Sequence, residues 1–128
     1  LGQSHKEGIS MATTLARQIP TSSLTVAPVN FAATADIVAL VSAKKILVWE
    51  LILFNSTTSS TLTFKSGTTA LTGAMTFSSM FLSRLQNAKQ GYETGVPLFE
   101  TAAGEAFVGT LSAGSQISGQ IIYSTETP

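Results

Sequence analysis

The sequence predicts an all-β fold: an antiparallel β-sandwich, jelly-roll-like, of about eight strands with an extended N-terminal arm. Three observations carry this. Short runs alternate apolar and polar residues at spacings of about ten residues, with Gly, Ser and Asn between them, and no helical period is sustained for long. The third observation is the stretch "KKILVWELILFN", Lys44 to Asn55, which is apolar at both strand parities apart from Glu50. A sandwich strand has a core on one side only, so the second apolar face needs a loop, another layer or another chain to cover it.

Residues 1–23 are mixed and polar, with "QIPTSS" reading as an extended or turn-like segment, and form the expected arm. Residues 24–128 form the expected sandwich domain. The chain begins with Leu rather than Met, so Met11 is a candidate start with residues 1–10 tag-derived, and a longer or processed native arm is the alternative. "SHKE" matches a helix capping box, but almost no apolar run follows it, which makes chance the better reading.

Each element follows in order. "LTVAPVNFAATA" places Thr25, Ala27, Val29 and Phe31 on one side, and Pro28 restricts this strand to an edge or a bulge. "DIVALVS" leads through "AK" into the Lys44 to Asn55 strand. There the odd positions Leu47, Trp49, Leu51 and Leu53 are expected in the core. Ile46, Val48, Glu50, Ile52 and Phe54 are then expected to face a sister subunit or another layer, with Glu50 as a polar contact whose charge needs a cation or a donor if buried. "STLTFKSG" follows with Leu62 and Phe64 together, then "SGTTALTG" with two Gly turn points, and "AMTF" as a short strand. In "SSMFLSRLQNAKQG", Met80, Phe81, Leu85 and Ala88 approximate a helical face while Met80, Leu82 and Arg84 alternate as in a strand, so a short helix or an irregular connection is expected. "AFVGTLS" and "SQISGQIIYS", separated by "AGS", read as a C-terminal hairpin.

Composition narrows function. Seven Lys plus Arg balance seven Asp plus Glu, so no global field attracts nucleic acid or an anionic membrane. Charged residues make up 11%, under half the usual share of about 25%, and this suggests a surface occupied by neighbours. Cysteine is absent, which removes disulfides, thiolate metal sites and cysteine nucleophiles. No apolar run reaches the roughly 20 residues of a membrane helix.

Catalytic groups are sparse. His5, the one histidine, lies in the arm and leaves no His-based triad or multi-histidine metal site; Asp36, the one aspartate, reads as a strand-start residue. Glu100 and Glu105 in "FETAAGEAF" are the best acid and base pair, which a glycosidase would hold about 5 to 9.5 Å apart. Lys44, Lys45, Lys65, Arg84 and Lys89 are scattered and lack a stacking platform for nucleic acid. "NST" at Asn55 matches a glycosylation acceptor by composition alone, and "GTTALTG" lacks the ending of a phosphate loop. Tyr92, Phe99, Phe107, Tyr123 and Trp49 could line a sugar surface, yet most occupy core-facing strand positions. These readings point to a non-enzymatic protein with no cofactor and no metal.

The segments "LTFKSGTTALTGAMTF" and "PLFETAAGEAFVGTLSAGSQISGQIIY" resemble a pattern in small virion structural proteins of tailed bacteriophages: a Lys-Ser-Gly turn, a Leu-Thr-Gly turn, a Phe-Glu-Thr-Ala-Gly-Glu-Ala segment and a final hairpin. The resemblance covers roughly the C-terminal two thirds of the chain, and "SRLQNAKQGYETGV" is longer and more polar than the connection it implies. It implies a jelly-roll capsid decoration (cement) protein on the outer surface of the virion head, often a homotrimer, whose partners are its own copies and the major capsid protein. Such a protein stabilises the icosahedral head by binding across capsomer joints. The competing reading is a phage fibre or head-fibre domain that binds host-surface carbohydrate through loops near Tyr92 or Phe99.

Overall fold

The structure, a computed structural model, describes residues 17–18, 23–56, 59–83 and 94–128. Its strands are β1 (Arg17–Gln18), β2 (Thr25–Phe31), β3 (Ala35–Val38), β4 (Lys45–Asn55), β5 (Leu62–Ser66) and β6 (Thr69–Ala70). They continue with β7 (Ser79–Ser83), β8 (Thr94–Gly95), β9 (Phe99–Glu100), β10 (Phe107–Leu111) and β11 (Ile117–Glu126). Two antiparallel sheets dominate. One has the order β2-β11-β4-β7 with β9 also on β4, and the other has the order β3-β10-β5-β6.

The pairing is nested: β5 pairs with β6, β4 with β7, β3 with β10 and β2 with β11. A long hairpin rolled over itself has this pattern, so the fold is the jelly roll that the strand spacing predicts. Part of the expected arm, Arg17–Gln18, pairs with β8 as a small separate ribbon. His5, Met11 and the capping-box match lie outside the described residues, as do Arg84, Lys89 and Tyr92.

Local chemistry sets the turns. Gly67 opens the two-residue loop between β5 and β6 with φ 57°, a conformation that glycine adopts without a Cβ penalty. Before β4 the chain turns with Lys44 N–H donating to the Val41 carbonyl at 3.1 Å, and Ala43 takes φ 62° there. Pro28 sits in β2, an outer strand of its sheet, as a missing N–H requires.

Three sequence expectations are corrected. "AMTF" forms no strand of its own; Met75 makes a single bridge to Leu62. In "SSMFLSRLQNAKQG" Ser79–Ser83 is β7 rather than a helix or an irregular connection, and residues 84–91 lie outside the described residues. The two C-terminal strands are not a hairpin: β10 belongs to one sheet and β11 to the other. The segment between them crosses the sandwich and is held there. Buried Ser60 donates to the Ala113 carbonyl and accepts from the Ala113 N–H, while the Thr61 N–H donates to Ser112. A hairpin loop and a crossover share the same Gly and Ser signals, so alternation alone does not separate them.

The core lies between the sheets. Val29, Phe31, Leu51, Leu53, Ile117 and Ile121 meet Val38, Leu62, Phe64 and Phe107 from the facing layer. Phe64, Phe99 and Phe107 join the two sheets as an aromatic cluster with ring centroids 5.0 to 5.5 Å apart, a spacing that adds to their burial. Gly109 leaves room for Phe31: a Cβ there would stand 2.9 Å from the Phe31 ring.

Candidate interaction face

The central strand β4 changes face part-way along. Ile122 of β11 opposes Glu50, yet the next residue, Tyr123, opposes Val48, so Trp49 is the extra residue of a β-bulge. The bulge inverts the parity of the side chains. Ile46 and Val48 point into the core before it, and Leu51 and Leu53 after it, all with no measurable exposure. Trp49 and Leu47 therefore lie on the other side of the sheet, where Leu24 packs on them and the Trp49 indole N–H donates to Ser124 Oγ at 2.9 Å.

This corrects the sequence reading of the strand at its first half. Ile46 and Val48, expected at an interface, are core residues, and Leu47 and Trp49, expected in the main core, form a second small cluster on the outer side. The second half agrees with the reading: Glu50 and Ile52 are half-buried on the outer face and Phe54 is 49% exposed.

Strand register extends that face across the sheet, because opposed antiparallel residues point to the same side. One row runs Val26, Ile122, Glu50, Ser83; the next runs Pro28, Gln120, Ile52, Phe81; the third runs Asn30, Ser118, Phe54, Ser79. Phe81 is 65% exposed and Val26 56%. The Phe54 and Phe81 rings meet edge to face at 5.6 Å and 86°. Beside them Glu50, Ile52, Phe81, Leu82 and Ser83 line an open depression of about 130 Å³. Glu50 is the one ionisable group in these rows. The face is thus an apolar aromatic strip flanked by hydroxyl and amide side chains, suited to contact with another surface rather than to chemistry.

Val26, Phe81 and Ile122 are members of this face that the sequence reading did not single out. The alternation of "SMFLS" carried the signal for Phe81, but a helical period fits the same letters.

Other candidate groups are engaged elsewhere. Glu100 pairs with Lys45 at 2.8 Å. Glu105 Oε1 accepts from Ser66 Oγ at 2.6 Å, and that hydroxyl accepts from the Ala102 N–H at 2.9 Å. Glu100 thus ties β9 to β4, and Glu105 ties the turn before β10 to β5. Phe99 belongs to the core cluster, Tyr123 packs against the core, and Asn55 accepts from the Ser115 hydroxyl. Asp36 is exposed in β3. Among the described residues no group of three His, Asp or Glu is placed to hold a metal ion.

The fold and this face define an antiparallel β-sandwich with an apolar outer sheet. No family model matches the sequence, and comparison with curated proteins and with solved structures found no match.

Proposed function

We propose that this chain is a non-enzymatic virion structural protein: a capsid decoration, or cement, protein of a tailed bacteriophage that binds the outer head surface across capsomer joints. The observation that carries the reading is the strip of exposed Val26, Phe54 and Phe81 with half-buried Ile52 on an otherwise sparsely charged sheet. Exposed apolar area of this kind, concentrated on one face, marks a surface that another protein covers.

The motif residues behind the phage resemblance support it in a second way. Ser66 and Gly67 of "KSG" and Glu105 of "GEA" are in contact: the Ser66 hydroxyl donates to Glu105, and a Cβ at Gly67 would come 3.1 Å from the Glu105 carboxyl carbon. The pattern is a structural clasp between β5 and the turn before β10. A clasp of this type serves a rigid scaffold and needs no substrate. A protein that binds only the assembled shell stabilises that shell by mass action.

The carbohydrate-binding alternative used loops near Tyr92 or Phe99: Phe99 packs against Phe64 and Phe107, and Tyr92 lies outside the described residues. The experiment is co-sedimentation of the purified chain with empty expanded heads of the virus whose genome carries it. Saturable decoration that raises the heads' melting temperature is the expected result. Chain left wholly in the supernatant overturns the proposal.

A further inference from the structure

Among the described residues the two sheets have five outer strands, and four of them, including the two-residue β9, carry a feature that discourages further strand pairing. β2 contains Pro28; β3 carries exposed Asp36 and a bulge at Ile37; β6 is two residues long. The fifth, β7, carries none. Its five residues, Ser79 to Ser83, include no Pro and no charge and run in unbroken register with β4, its one strand neighbour among the described residues. Met80 and Leu82 point toward the core yet stay half-buried, so the apolar interior is partly open along this edge.

The β7 sequence, "SMFLS", is also self-complementary when read in reverse. Two copies laid antiparallel about a two-fold axis at Phe81 pair Ser79 with Ser83, Met80 with Leu82 and Phe81 with Phe81 of the second copy. Each pair is like with like, which is the requirement of an isologous contact. Such pairing would close the gap beside Met80 and Leu82. It would also set both Phe54 and Phe81 ring pairs side by side on the outer face.

We infer that β7 is a dimerisation edge, through which a second copy of this chain extends the five-stranded sheet across a two-fold axis. The inference does not depend on the proposed function, and it predicts assemblies built from pairs rather than the homotrimer that the phage resemblance implies.

Light scattering over a concentration series tests the assembly, and cysteine cross-linking tests its register. The natural chain has no cysteine, so every cross-link is attributable. The expected mass is that of two chains, falling toward one on dilution. Phe81→Lys, which places like charges face to face at an exposed site, raises the dissociation constant at least tenfold. Under mild oxidation Phe81→Cys forms a disulfide dimer, because directly opposed antiparallel residues have Cα atoms about 4.5 to 5.5 Å apart, within disulfide reach. Ser79→Cys alone does not, its two copies being about 13 Å apart along the strand at roughly 3.3 Å per residue. An equal mixture of Ser79→Cys and Ser83→Cys chains does cross-link. A mass of one or three chains at every concentration, or Ser79→Cys cross-linking as readily as Phe81→Cys, overturns the inference while leaving head binding untouched. If Phe81→Lys fails to fold, the cysteine series alone decides.

Discussion

The indole N–H of Trp49 donates to the hydroxyl of Ser124 at 2.9 Å, and both residues are buried on the outer side of the sheet. That bond fixes the bulge through which β4 presents apolar side chains to two sides in turn. Ser124→Ala leaves the indole donor without this partner in a dry site, and the expected destabilisation is about 1 to 3 kcal/mol. Urea unfolding followed by fluorescence measures it cleanly, since Trp49 is the single tryptophan. Unchanged stability would mean that the bond does not hold the bulge.

Gly119 admits no side chain. A Cβ there would lie 1.7 Å from the Ile52 carbonyl oxygen, and that backbone cannot retreat without disturbing the ladder between β4 and β11. Gly119→Ala is expected to cost at least about 3 kcal/mol, at the upper end for overpacking. Gly73→Ala is the control, with nothing within 4 Å of its added carbon, and should stay within about 0.5 kcal/mol of the parent. Thermal melts of the two variants side by side check both.

Ala43 pays a conformational penalty at φ 62°, where a non-glycine residue loses about 1 to 2 kcal/mol. Ala43→Gly removes that strain and adds freedom to the unfolded chain, so a net gain of about 0.5 kcal/mol is expected. The readout is a higher urea midpoint with an unchanged slope.

Ser66 ties β5 to the turn before β10 by donating to Glu105 and accepting from the Ala102 N–H. Ser66→Ala should therefore cost about 1 to 3 kcal/mol. Glu100→Gln, which weakens a partly exposed pair with Lys45, should cost under about 1 kcal/mol and become less visible in high salt. The contrast between the two separates a buried clasp from a screened surface pair.

Alternation made most strands legible, and Pro28 announced its edge, because both signals act within a few residues. The bulge at Trp49 was not legible. From Ile46 to Phe54 both parities are apolar except at Glu50, so inserting one residue moves no polar side chain into the core and leaves no mark in the pattern. The C-terminal crossover was hidden for a related reason, since β10 and β11 choose partners far away in sequence. Ser66 and Glu105 each stood out as motif residues, but their contact spans the roll and is set by the nested pairing. Of the interface expected on β4, Glu50, Ile52 and Phe54 remain on the outer face; Val26, Ile122 and Phe81 join them only through register.

Decoration of empty expanded heads by the parent chain and by a Val26→Ser, Phe54→Ser double variant tests the central claim most directly. Both residues are exposed, so the variant should melt within a few degrees of the parent. The account predicts that the parent saturates the heads and that the variant binds at least tenfold more weakly. Equal decoration by both chains would contradict the assignment of this outer face as the surface that meets the shell.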